Sequence, residues 1–371
     1  MIDFDADADM LDELVRLWAQ PRGTARTERL ENLLAKSDDQ GLIHSAIYAR
    51  TYLAGDLIVA DVGRDLTPVL GLFAETQQLL QDHQGELSSE VFRPVVIHMG
   101  AAIVLLLLHP EMPLDRIEAV RAGYELMCRQ HGYSLRGAHL FAMSIAILRG
   151  DVSEAERHFT LAQAQPRGSY IVNDTFAEAI GWYTSRGKYA EAVALYKQAT
   201  PETESRSWAG LQIVTTPAAL RAGDAELAAH LYDEAHDPQD VGSLEAPLLT
   251  YLALAGRLDE ALVLLPDVVA YEDNATDSIR SYVAQHAAVL LHHLQAAGRG
   301  AETVQGLDGS VDELLARYRE IAESTARTLD RVNSMDVAVL HLHDFWNRFG
   351  PAPLSAPATE HPTRMTQERT E

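Results

Sequence analysis

Small and large apolar positions alternate through the middle of the chain at offsets of four and three residues, the spacing of one helical face. Glycine cuts this pattern at near-constant intervals, and each cut is followed at once by a new amphipathic run: RGDVSEA at 149–155, RGKYAEA at 186–192, RAGDAELA at 221–228 and AGRLDEA at 255–261. The turn glycines Gly150, Gly187, Gly223 and Gly256 lie 37, 36 and 33 residues apart. A fixed period of this length predicts helical hairpins stacked side by side. Each glycine is expected to stop the preceding helix in a left-handed conformation, which a residue without Cβ adopts at little cost.

Five residues beyond each glycine stand Ala155, Ala192, Ala228 and Ala261; nine beyond stand Phe159, Tyr196, Tyr232 and Leu265; twelve beyond stand Ala162, Ala199, Ala235 and Val268. Asp151, Asp224 and Asp259 place negative charge where the next helix begins, which the helix dipole favours. On these residues the chain resembles the tetratricopeptide repeat family, built from helix A–turn–helix B units. The helix B half matches. In helix A, seven residues before each glycine, the family's small residue is replaced by Met143, Ile180, Thr216 and Leu249. Wider spacing between the paired helices is expected there.

Upstream, Ala119 extends the alanine series, and Gly55 with Ala60 suggests an earlier, distorted turn; downstream, Gly298 precedes Thr303 rather than alanine. Pro217 and Pro247 predict a kink or a late helix start, because proline cannot donate to the helical ladder. Segments 309–334 and 334–350 read as two longer capping helices. Residues 1–350 are expected to form one helical repeat domain, best defined over 95–270, and 351–371 a disordered tail. The expected architecture is all-α: a right-handed α-solenoid of about six degenerate hairpins with a C-terminal helical cap.

The resemblance implies that ligands lie along a concave face built by the A helices. Counting back from each glycine transfers the lining positions to Leu140, Ser144, Ala177, Gly181, Ser185, Ile213, Arg221, Thr250 and, in the drifted repeat, His292. Arg221 is the only cation in this set. Gripping an acidic peptide tail needs several converging cationic donors, so that use is not expected. A groove of small and apolar residues suits an apolar helix, an extended peptide or a hydrophobic small molecule. The chain's own helix at 336–349, with Trp346 and Phe349, is one candidate occupant; packing as an ordinary terminal cap is the alternative.

With 54 acidic against 30 basic side chains, the net charge of −24 disfavours nucleic acid and anionic membrane surfaces as partners. The acidic opening MIDFDADADMLDE reads as a solvated lead-in to the first helix or as an arm for a basic partner. Cys128 is the only cysteine, so no internal disulfide is possible and a reducing, cytosolic setting is expected. The apolar run at 95–108 is too short to cross a bilayer, which takes about 20 residues. His286, His292 and His293, and likewise His341 and His343, lack the three- or four-residue spacing that lets two helical histidines share a metal. Asp174 and Glu178 stand four apart and could form a carboxylate pair, although solvated charge explains them as well. No nucleophile elbow, phosphate-binding loop or metalloprotease helix occurs, so no cofactor or metal is expected. The resulting expectation is a non-enzymatic, cytosolic scaffold or regulator that receives a protein or peptide. A small-molecule effector sensor and an enzyme using the inner surface are its alternatives.

Overall fold

A computed structural model describes residues 4–21, 23–60, 67–83, 87, 89–166, 175–199, 206–236, 245–270 and 275–351. Among these residues the protein is all-helical, with seventeen helices and no strand. Sixteen form successive pairs: α1 (Phe4–Trp18) with α2 (Thr24–Gln40), α3 (Ile43–Ala60) with α4 (Thr67–Asp82), α5 (Ser89–Leu107) with α6 (Leu114–Gln130), and α7 (Arg136–Leu148) with α8 (Val152–Ala164). They continue as α9 (Thr175–Ser185) with α10 (Tyr189–Gln198), α11 (Arg206–Arg221) with α12 (Ala225–Ala235), α13 (Ala246–Leu254) with α14 (Leu258–Val269), and α15 (Asp277–Ala296) with α16 (Val311–Asn333). The seventeenth, α17, spans Ala338–Phe349. Each odd-numbered helix from α1 to α15 packs against its own partner and against the next odd-numbered helix. The pairs therefore follow one another in space as they do in sequence.

One backbone device makes most of these turns. Gly150, Gly187, Gly223, Gly256 and Gly298 all have φ between 73° and 85°. In each, the glycine N–H reaches back three residues and the following N–H reaches back five, as in Gly150 N to Ile147 O (3.0 Å) and Asp151 N to Ala146 O (2.9 Å). This is the paired bond that satisfies the last carbonyls of a helix. Gly41 (φ 65°) repeats it at the end of α2. Asp151 and Asp224 then cap the next helix, accepting from the N–H of Glu154 and Leu227 at 3.1 Å. Ala155, Ala192, Ala228 and Ala261 are fully buried, and so are Met143, Ile180, Thr216 and Leu249 across the hairpin from them.

The upstream extension of the repeat needs three corrections. Gly55 is no turn: α3 runs through it, and its bare Cα faces Trp18, whose ring would lie 3.5 Å from an added Cβ. Ala119 is exposed, and Val120, Tyr124 and Met127 carry the buried face of α6. The turn before α6 is built on Pro110 and Pro113 instead of a glycine stop, so its phase differs by one residue. The acidic opening is not wholly solvated. Asp7 is 2% exposed and accepts from the N–H of His44 (3.2 Å) and Ser45 (2.9 Å), capping α3 from a different helix. Beside it, buried Arg26 pairs with Asp56 and donates to the carbonyls of Trp18 and Gln20, tying α1, α2 and α3 together.

Pro247 falls in the first turn of α13, a late start, whereas Pro217 lies inside α11. No described helix is long and apolar enough to cross a membrane. The expected tail lies outside the described residues, apart from Pro351.

Candidate interaction site

The transferred lining positions divide by exposure. Ser144, Ala177, Gly181, Ser185 and His292 are partly exposed, and Arg221 is exposed. Ala177, Gly181 and Ser185 form a stripe along α9, with nothing within 4 Å of the point where a Cβ on Gly181 would sit. Leu140, Ile213 and Thr250 are buried, which corrects their assignment as lining residues. The Thr250 hydroxyl is hydrogen-bonded to His286 Nδ1 at 2.8 Å.

Helix α17 packs on α15, α16 and, much earlier in the chain, α9, and among the transferred positions Arg221 touches it. Its buried residues Leu342, Phe345, Trp346 and Phe349 follow the 0, 3, 4, 7 spacing of a single helical stripe. Asp330 anchors its start, accepting from the N–H of Val337 (3.0 Å), Ala338 (2.9 Å) and Val339 (3.1 Å). Midway, Trp346 Nε1 donates to the Gln285 carbonyl at 3.1 Å, and Phe345 meets the His286 ring edge-on at 5.1 Å. At its end, His293 Nε2 donates to the Phe349 carbonyl at 2.8 Å, and Arg221 donates to the Arg348 carbonyl. The Arg221 guanidinium also stands 5.7 Å from the Phe349 ring centre. Two donors, one cationic, thus converge on the carbonyl end of a helix, where the dipole is negative.

The connection from α16 to α17 joins distant parts of the chain. Ser334 turns it with φ 53°, the one non-glycine residue with positive φ among the described residues. Asn333 Oδ1 accepts the Leu114 N–H at 2.7 Å, and Met335 packs into the core built from α3 to α7. Val337 sits so close to Gly150 that an added Cβ would lie 2.6 Å from its Cγ1. None of these residues carries a motif; only a helix at 336–349 carrying Trp346 and Phe349, and Arg221 as a cation, were visible beforehand.

Burial depresses the pKa of the histidines of α15. His286 is lowered to about 3. His293 is lowered by burial, with Arg221 adding to the shift and the Phe349 carbonyl opposing it. His292 is lowered by burial, then by His293 and Arg319, and its Nδ1 is buried without a hydrogen-bond partner among the described residues. His286 and His293, which touch α17, are therefore mainly neutral at pH 7.

Two further features complete the picture. His139 on α7 and His158 on α8 bring their Nδ1 atoms within 3.2 Å, a cross-hairpin pair hidden by the 19 residues between them. No group of three potential metal ligands forms among the described residues. A cavity of about 480 Å³ lies between the α5–α6 turn, the start of α15 and one side of α16, lined by groups such as Glu111, Asp277, Arg280, Arg317, Ser324 and Thr328. Asp174 and the Glu178 side chain lie outside the described residues, so the suggested carboxylate pair has no geometry. No family model and no curated protein matches the chain.

Proposed function

We propose that this protein is a non-enzymatic interaction module: a right-handed solenoid of degenerate tetratricopeptide-like hairpins whose concave face receives an apolar segment of a partner protein. The observation that carries the reading is that an amphipathic helix already packs on α15, α16 and α9, with Arg221 and His293 on its last carbonyls. The small side chains along α9 leave open space where a Cβ on Gly181 would sit. Substituting Gly181→Trp fills that room at a helical position with ordinary φ, so the fold should persist. Affinity capture from the native cell should retain a protein on the original chain that Gly181→Trp loses, and the purified protein should bind directly. Equal retention by both forms would overturn the reading.

The cavity beside α16 favours a second reading, an effector sensor. Its arginines, carboxylates and hydroxyls suit a polar ligand, in contrast to the apolar effector expected from the groove positions. Thermal stabilisation by a small polar metabolite, lost in Arg317→Ala, would support it.

A further inference from the structure

We infer that His139 and His158 make an acid-sensitive joint in the row of hairpins: the pair holds α7 to α8 while one proton lies between the two rings, and loosens that hairpin when each ring brings its own. This inference goes beyond the concave-face reading and does not depend on it, since neither histidine is one of the transferred lining positions.

The geometry assigns the protons. His139 is 7% exposed and the His158 side chain 12%. Their Nδ1 atoms stand 3.2 Å apart, a separation that admits one hydrogen between them. Arginine has only donors, and Arg157 Nη2 lies 2.9 Å from His158 Nε2. His158 Nε2 therefore accepts, and its Nδ1 donates to His139 Nδ1. A first extra proton settles on His158 Nε2, where Glu154 Oε1 receives it at 3.1 Å. A second has only His139 Nδ1 to occupy. Two N–H groups on two charged rings would then face each other, and the contact cannot survive.

The surroundings oppose charge on either ring. Burial lowers the pKa of His139, and His158 with Arg121 and Arg129 of α6 lower it further, against Glu125. Burial likewise lowers His158, with Arg157 and Arg121 adding to the shift and Glu154 opposing it. Both histidines thus bind protons more readily unfolded than folded. Their contribution is full above the ordinary histidine pKa of about 6.5 and is lost as pH falls below it.

The pair sits where one core gives way to the next. Helix α7 gives Ala138, Phe141 and Ile145 to the core built from α3 to α7, and Met143 and Ala146 to the core that runs on to α11. Ala155 and Phe159 of α8 belong to the second core alone. Acid should therefore loosen α8 and leave α5 and α6 protected.

Hydrogen exchange of the full chain at pH 7 and pH 5, corrected for intrinsic rates, tests this. Protection of α8 should fall about tenfold more than that of α5 and α6. The difference should vanish in His139→Gln and in His158→Gln, and persist in His286→Gln, which removes an unrelated buried imidazole. No selective fall in the original chain, or an equal fall in His139→Gln and His158→Gln, overturns the joint. Should both variants fail to fold, the ring protons of the original chain decide by nuclear magnetic resonance. Two coupled steps at least about one pH unit apart support the pair, and two independent titrations near pH 6.5 overturn it.

Discussion

Asp7→Ala separates a solvated acidic lead-in from a structural cap. The carboxylate is 2% exposed and takes the first free N–H groups of α3, at His44 and Ser45, together with the Ser45 hydroxyl and His44 Nδ1 at 2.8 Å. Removing it leaves two main-chain donors at a buried helix start. Loss of a capping acceptor costs about 0.5–2 kcal/mol, and each buried donor left unpaired about 1–3 kcal/mol. Because these two accounts overlap, a total of about 3 kcal/mol is expected. Asp7→Asn keeps one acceptor oxygen and should cost about half as much. Asp9, exposed on the same helix, is the control, and Asp9→Ala should stay within about 0.5 kcal/mol. Urea unfolding followed by far-UV circular dichroism measures the totals, and hydrogen exchange of α3 shows whether the loss is local. If Asp7→Ala matches Asp9→Ala, the capping argument is wrong.

Three other outcomes follow from the geometry. Gly223→Ala meets no atom within 4 Å and should cost only the left-handed backbone penalty, about 1–2 kcal/mol, whereas Gly150→Ala also collides with Val337 and should cost more and raise exchange in α17. His286, lowered to about 3 by burial, binds its proton more readily unfolded than folded. Its stabilising contribution is therefore full above the ordinary histidine pKa of about 6.5 and is lost as pH falls toward 3. Between pH 6.5 and 5 that loss is about 2 kcal/mol, and unfolding of His286→Gln should be correspondingly less acid-sensitive. Cys128 is fully buried and its thiol is pushed up to about 11 by burial, so a thiol reagent at pH 8 should label it only after denaturant is added.

The glycine stops were legible because a left-handed residue followed by an acidic cap is local chemistry, repeated at Gly150 and Gly223 with the same bonds. The phase of α6 was not, since its turn is made by prolines and the alanine count overran by one residue. Asp7 escaped because its partners are 37 and 38 residues away in sequence, and an acid among acids carries no mark of burial. At the candidate site, Arg221 and the Ala177–Gly181–Ser185 stripe are at least partly exposed among the transferred positions. Burial of Leu140, Ile213 and Thr250 depends on neighbouring helices that no count along one repeat reveals. His139 and His158 likewise meet only after their hairpin closes.

The bond from Leu114 to Asn333 links residues 219 apart, and Met335 seats the same bend in the first half of the molecule. An open row of helical pairs can fray from either end, each unit answering only to its neighbours. Here the stitch couples loosening at α6 to loosening at α16. A strain applied to either half is thereby shared with the other.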